Sequence, residues 1–491
     1  MLPIQEITNL TADSRKVEKN GVFAALPGVV QNGVDYIPQA IAGGAALIVI
    51  SYDDFARFSG CAKSYQASSV IASHGVQFLL TKELPTLFAQ MAAAFYGTIP
   101  DVCIAVTGTN GKSSVVDFTR QIWALLGYKA VSIGTLGIKE AQDTPLEGIK
   151  GLTTPDPVQL HTLLAQLVTE KSITHCALEA SSHGLAQRRL DGMRFTAAAF
   201  TQLSQDHLDY HRTMETYFSA KKHLFKELVI PQGTCVLNAD VPEYAELSRI
   251  ARIRSLQVLD YGKKAQALVL KNLKPDTQGQ KIHATILGQQ VHWYLPLIGN
   301  FQAYNFLCAL GLLLACGTKR DMLLDLFTHF ESLPIRGVPG RLECIAQSGK
   351  TVYIDYAHTP DALKNVLAAI RPHTKGRIIL VLGCGGNRDS SKRPLMGKIA
   401  EQFSDRVFIT DDNPRHEDSA KIRRDIRAGM TEHMQICEIA DRYEAIASAL
   451  AEAAPCDVVV IVGKGHETTQ LIQGVYYPFS DQKAVREILK G

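Results

Sequence analysis

Short apolar runs alternate with stretches of helical period along the whole chain, and this alternation predicts an α/β protein. Val102-Cys103-Ile104-Ala105-Val106 is a continuous apolar run with the length of a strand buried on both faces. Beyond it Val115, Phe118, Ile122 and Leu126 recur at helical spacing, and Gly127 is placed to end that helix. Toward the C-terminus four more runs predict strands: Val352 to Asp355, Ile378 to Leu382, Val407 to Thr410 and Val458 to Val462. Each passes straight into polar, glycine-rich sequence: Tyr356-Ala357-His358, Gly383 to Arg388, Asp411 to Arg415 and Gly463 to Glu467. Ligands of open α/β sheets sit beyond the carboxyl ends of the strands, so these loops predict a substrate-holding domain.

The helical patterns break at two seams, Tyr96-Gly97-Thr98-Ile99-Pro100-Asp101 and the Pro/Gly-dense 333–341. They divide the 491 residues into predicted domains 1–98, 99–335 and 336–491, each of ordinary domain size. A net charge of +3 is close to balance and gives no reason to expect a nucleic-acid or membrane partner. The N-terminus lacks the charged-then-apolar profile of a signal peptide. The apolar run from Ala40 to Ile50 is interrupted by Gly43 and Gly44 and is too short to span a bilayer. Ten cysteines are scattered from Cys61 to Cys456 without metal or disulfide spacing, and are expected to be reduced core thiols. A cytoplasmic protein without membrane insertion is the expectation.

Chemistry enters at Thr107-Gly108-Thr109-Asn110-Gly111-Lys112-Ser113-Ser114, between the first strand and its helix. Nucleotide phosphates need converging backbone N–H groups and a cation at a helix N-terminus. Gly108 and Gly111 allow close backbone approach, Lys112 reaches the β- and γ-phosphates, and the Ser113 hydroxyl suits Mg²⁺. Val106 stands where the common phosphate-binding loop has its first glycine, so the loop is a shortened variant.

These residues resemble the Mur ligases, in the superfamily that also holds folylpolyglutamate synthetase. The resemblance extends over nearly the whole chain: Asp13-Ser14-Arg15, Thr153-Thr154-Pro155-Asp156, Glu179-Ala180-Ser181-Ser182-His183-Gly184, Asp206-His207-Leu208-Asp209, Asp355-Tyr356-Ala357-His358-Thr359-Pro360, Asn387-Arg388-Asp389 and Gly463-Lys464-Gly465-His466-Glu467. It implies the three-domain Mur ligase architecture, with a central P-loop-type mononucleotide-binding domain and a C-terminal Rossmann-like domain. The domains would bind UDP, ATP and the incoming amino acid in chain order. Asp412-Asn413-Pro414-Arg415 resembles the branch that adds meso-diaminopimelate to UDP-N-acetylmuramoyl-L-alanyl-D-glutamate in peptidoglycan synthesis. An Arg suits the distal carboxylate that lysine lacks, because a guanidinium can hold a carboxylate bidentately.

The resemblance further implies ATP and Mg²⁺ as cofactors, an acyl-phosphate intermediate, and a monomer working on small molecules. Phosphoryl transfer of this kind needs positioning and charge neutralisation, so Ser181-Ser182-His183 is not expected to be a nucleophilic triad. Lys112, Glu179, His207 and Lys221 are the implied catalytic residues. Ser113 and Glu179 would hold one Mg²⁺, and His207 with Lys221 as a carbamate a second; sequence spacing leaves Lys222 as an alternative to Lys221. ATP would touch Gly108, Thr109, Asn110, Gly111, Lys112, Ser113, Ser114, Asn305, Arg341, Asp355 and His358. Ser14, Thr153, Thr154, Ser181, Gln187 and Arg189 would hold the UDP substrate. Arg388, Asp412, Asn413, Pro414, Arg415, Gly463 and Glu467 would hold diaminopimelate. Leu152 and Gln302 stand where the family pattern has Asn. A lysine-adding ligase or a folylpolyglutamate synthetase is the nearest alternative, and a non-catalytic nucleotide-binding protein the alternative of a different class. The Asp412–Arg415 turn and the Ser14 region argue against the first pair, and the intact Lys112, Ser113, Glu179, His207 and Lys221 against the last.

Overall fold

The apolar runs form the centres of three successive sheets in a computed structural model of the chain. The structure describes residues 6–28, 31–59, 70–73, 75–140, 145–146, 152–276, 279–329, 334–347, 349–431 and 436–490. The first sheet has five strands, in the order Leu10–Thr11, Gly21–Ala24, Ala45–Ser51, Val76–Thr81 and Val70–Ser73, with only the last pair antiparallel. The helix Leu84–Tyr96 closes this unit, and Gly97 ends it at φ 68°.

Val102–Thr107 lies near the middle of an eleven-stranded second sheet, pairing in parallel with His175–Glu179 on one side and Phe195–Phe200 on the other. Val106 is buried in that sheet opposite Glu179 and Ala199. The position is still central strand, which explains an apolar residue where longer phosphate loops have a glycine. The helix Lys112–Leu125 follows, with Val115, Phe118, Ile122 and Trp123 buried against the helix Asn300–Ala315. Each such side chain contributes about 1.5–3 kcal/mol on burial, which holds the helix N-terminus at the strand end.

The third sheet runs Glu343–Gln347, Lys350–Asp355, Val458–Val462, Ile378–Leu382, Arg406–Ile409 and Ile436–Glu438, all parallel except the first pair. Its three central strands are buried along their C-terminal halves on both faces, as continuous Val/Ile/Leu runs require. The four predicted strands are present within a few residues of their expected bounds. The linker before this sheet is tied to the phosphate-loop helix: the Gln121 amide donates to Arg336 O (3.1 Å) and accepts from Arg336 N (2.9 Å).

One expectation changes. The described cysteines are all free, but Cys344 and Cys456 are exposed rather than core residues; Cys61 lies outside the described residues. No helix among the described residues is long and apolar enough to cross a membrane.

Candidate active site

The carboxyl ends of the central parallel strands deliver Thr107, Gly134, Glu179 and Phe200 to one edge, where three clefts meet. In the first, of about 150 Å³, the loop residues Thr109 to Ser114 face Thr135, Thr153, Glu179, Ser181, His207 and Lys221. Gly108 sits at φ 144°, and a Cβ there would fall 1.9 Å from Thr201 Oγ1. Lys112 Nζ donates to the carbonyls of Gly108 (3.0 Å) and Thr109 (2.7 Å). Burial lowers its pKa. Glu179 is buried, with Oε1 accepting from Thr135 N (2.9 Å) and Oε2 from Thr135 Oγ1 (3.1 Å). Thr135 Oγ1 also meets Thr153 Oγ1 at 3.1 Å.

Lys221 is buried, its ammonium donating to Gly108 O (2.8 Å) and lying 4.4 Å above the Tyr217 ring. Burial, and then the neighbouring Lys112, lower its pKa well below the ordinary lysine value. Lys222 turns outward to an ion pair with Glu246 at 2.7 Å. Tyr217 is buried and its hydroxyl meets Thr109 Oγ1 at 3.1 Å, so the helix Met214–His223 braces the loop twice. His207 occupies a left-handed turn (φ 55°), its Nε2 3.3 Å from Asp206. Burial lowers its pKa to about 4 against the opposing pull of Asp206, so the imidazole is neutral at pH 7. Burial alone would raise Asp206, but His358, His207, Lys392 and Lys112 outweigh it and hold the carboxyl low.

The second cleft, about 440 Å³, extends from Asn110 and Gly111 past Asn238, Tyr304 and Asn305 to Arg341, Asp355 and His358. Asn305 Nδ2 donates to Gln302 Oε1 at 3.2 Å. Gln302, the departure from the family's Asn, is thus a buried brace that orients Asn305. Arg341 lies over the Tyr356 ring at 4.6 Å. Asp355 accepts from Leu342 N (2.6 Å) and Ala357 N (2.7 Å), and burial raises its pKa to about 6 despite Arg341.

The third cleft, about 340 Å³, gathers Arg388, Asp412, Asn413, Arg415, Gly463 and Glu467 opposite Asp206, His207 and Asp209. Arg415 adopts φ 55°, donates Nη1 to Gly386 O (2.7 Å), and has its backbone N–H on Leu471 O (2.9 Å). Arg388 stands 3.8 Å from Asp209 across the domain boundary. Tyr356 and His358 line all three clefts, making them one continuous site.

Comparison with known proteins identifies the family. Three family models match: the Mur ligase family catalytic domain over residues 6–96, the Mur ligase middle domain over 106–313, and the Mur ligase glutamate ligase domain over 340–465. A curated protein of Brucella melitensis, named UDP-N-acetylmuramoyl-L-alanyl-D-glutamate–2,6-diaminopimelate ligase, is 41% identical over 99% of this chain and 94% of its own length. A Zymomonas mobilis protein of the same name is 44% identical over 95% and 90%. The chain belongs to the Mur ligase family. A solved structure titled with that same ligase name is 29% identical, covers 99% of this chain and 95% of its own, and superposes with a TM-score of 0.67.

Not every residue that the Mur ligase resemblance nominates reaches these clefts. Ser14 lines none of them; its hydroxyl donates to Gln39 at 2.7 Å within the N-terminal unit. Thr154 is fully buried, donating to Glu179 O (2.7 Å) and accepting from Ser181 N (3.0 Å), an internal brace. Arg189 donates to Thr154 O (2.8 Å) and to Gln187, Gln187 donates to Tyr210 OH (3.3 Å), and neither is among the residues lining the three clefts. Pro414 contributes its carbonyl to turn packing against Gly386. Leu152 is 43% exposed next to Thr153. The described residues include no group of three or more His, Cys, Asp or Glu placed to hold a metal by themselves. Sequence reading passed over Thr135, Asp206, Tyr217, Tyr356 and Lys464. Asp206, Tyr356 and Lys464 sit inside quoted motifs and Tyr217 one helical turn before Lys221, each beside a more conspicuous neighbour; Thr135 carried no local signal.

Proposed function

We propose that this Mur ligase joins meso-diaminopimelate to the D-glutamyl carboxylate of UDP-N-acetylmuramoyl-L-alanyl-D-glutamate, consuming ATP. The observation that carries the reading is the continuity of the three clefts through Tyr356 and His358, with Arg415 in the cleft farthest along the chain. A phosphate-loop cleft, a nucleoside-sized cleft and a charged amino-acid cleft sharing one wall suit a reaction that activates a carboxylate and then meets it with an amine.

In this reading the adenosine lies by Asn305, Asp355 and Arg341, and its phosphates lie on the backbone of Thr109 to Ser113 beneath Lys112. The substrate carboxylate takes the γ-phosphoryl group, giving an acyl phosphate and ADP. The amine of diaminopimelate then attacks the acyl carbon, phosphate leaves, and the amine gives up a proton. Such a path demands positioning and charge neutralisation rather than an enzyme nucleophile.

The oxygen donors Ser113, Thr135, Thr153 and Glu179 fit a hard cation, and Mg²⁺ held there with phosphate oxygens would neutralise charge on the transferring group. His207 is neutral as a metal ligand must be. Lys221, with its ammonium form disfavoured by burial, is the lysine of the pair suited to carbamylation, because CO₂ adds to a neutral amine. Arg415 and Arg388 would receive carboxylates and Glu467 an ammonium group.

The test is phosphate release from purified protein with ATP, Mg²⁺, the UDP-muramoyl-dipeptide and either diaminopimelate or lysine. Release with diaminopimelate only is expected. Release with lysine only, or with neither, overturns the proposal.

A further inference from the structure

Lys464 stands between two residues of the amino-acid cleft, Gly463 and Glu467, yet its own side chain is fully buried behind that cleft. Its ammonium donates to acceptors from three segments: Glu467 Oε2 at 2.9 Å, Asn413 Oδ1 at 3.2 Å and Thr469 O at 2.7 Å. Three donors meet three acceptors, so the buried cation is saturated. Asn413 Nδ2 donates to the same Glu467 oxygen at 2.7 Å, and Asn413 Oδ1 also accepts from Leu471 N at 3.0 Å. Both of these bonds to the Glu467 carboxylate fall on Oε2, which leaves Oε1 to a ligand in the cleft that Glu467 lines. Leu471 in turn accepts from the backbone N–H of Arg415. One ammonium therefore ties the Gly463–Glu467 loop, the Asp412–Arg415 turn and the first strand of the hairpin Thr469–Ile472/Val475–Pro478 into a single unit.

From this geometry we infer that Lys464 is a positioning residue for the incoming amino acid, acting through Glu467 rather than by contact. The inference rests on the amino-acid site proposed above. A carboxylate pinned at one oxygen by a buried cation keeps both its charge and its direction. Without the cation, the carboxylate loses the bond that fixes its Oε2, turns toward water and stops presenting an aimed oxygen to the cleft. Arginine does not replace lysine here, because a planar fork cannot direct donors at three divergent acceptors.

The experiment compares wild type with Lys464→Met, which keeps the side-chain length and removes the charge, by steady-state kinetics. Loss of one charge-assisted contact corresponds to a KM for diaminopimelate raised at least tenfold. KM values for ATP and the UDP substrate stay within about threefold, since neither cleft contains Lys464. In a Glu467→Gln background the same substitution adds less than about threefold, because its route of action is already cut. A KM for diaminopimelate within threefold of wild type, or full additivity in the double variant, overturns the inference. If Lys464→Met is not recovered folded, Lys464→Leu, which likewise removes every donor toward Glu467, carries the same comparison with the same limits. Wild-type release with lysine alone overturns the substrate assignment but not this inference, which is then read on the KM for lysine. Absence of any amino-acid-dependent release overturns both.

Discussion

Arg415→Ala isolates the group that distinguishes diaminopimelate from lysine. The substitution is clean for a structural reason. Residue 415 is held at φ 55° by backbone bonds to the hairpin, its N–H on Leu471 O and its carbonyl receiving Gln473 N–H. Alanine and arginine meet the same steric cost at that φ, so the turn persists and only the guanidinium is lost. Within the protein that guanidinium has a bond from Nη1 to the Gly386 carbonyl, which leaves the rest of the fork for a carboxylate. A charge-assisted hydrogen bond contributes about 1.5–3 kcal/mol, and 1.4 kcal/mol is tenfold. Losing the fork therefore lowers kcat/KM for diaminopimelate between roughly tenfold and a few hundredfold. Lysine has no distal carboxylate, so its kcat/KM moves by less than about threefold. The assay is phosphate release over a range of each amino acid, with ADP affinity as the check on the nucleotide cleft. Unchanged kcat/KM for diaminopimelate, or an equal fall for both amino acids, refutes the assignment of Arg415 to the distal carboxylate.

Further expectations concern neighbouring residues. With ¹³C-bicarbonate, a carbamate resonance should appear in wild type and in Lys222→Gln but vanish in Lys221→Gln. Lys222→Gln should cost under about 1 kcal/mol in urea unfolding, because its pair with Glu246 is a surface one; a resonance that follows Lys222 instead contradicts the assignment. Gly463 sits at φ 110°, and a Cβ there would lie 2.4 Å from Asp412 Oδ2. Gly463→Ala should cost about 1–3 kcal/mol of stability and lower diaminopimelate turnover more than nucleotide affinity, to be read by unfolding and kinetics together. Arg393 holds the Glu417 carboxyl at about 2, against an ordinary 4.5. Its contribution to stability is complete above 4.5 and disappears as pH falls toward 2. Glu417→Gln should therefore be less stable than wild type at pH 7, with the gap closing progressively below pH 4.5; a gap independent of pH contradicts the pairing.

Much of the fold was written locally. Runs such as Ile378 to Leu382 and Val458 to Val462 can only be satisfied between two apolar layers, and each charged loop that follows one ends at the cleft rim because strands of a parallel sheet point the same way. The phosphate loop was legible for the same reason: a strand, two glycines, a lysine and a helix are consecutive in sequence. Less legible were the residues whose role depends on a partner far along the chain. Thr154 and Arg189 carry the side chains of ligand-binding residues, and the fold brings them, from 25 and 35 positions away in the chain, onto the carbonyls of Glu179 and Thr154. Gln302 was a departure in the pattern and is a buried support for Asn305 in the fold.

The sequence by itself determined the three α/β units, the phosphate loop and the acid, amide and guanidinium chemistry offered at the strand ends, because periodicity and turn residues act over a few neighbours. Which of two adjacent lysines enters the site was decided only by the helix Met214–His223, whose docking buries Lys221 against Gly108 and turns Lys222 to Glu246. Tertiary packing likewise decided that three clefts share Tyr356 and His358, and that Lys464 lies behind its loop rather than in it. Burial and long-range hydrogen bonds set both outcomes, and neither is a property of residues adjacent in the chain.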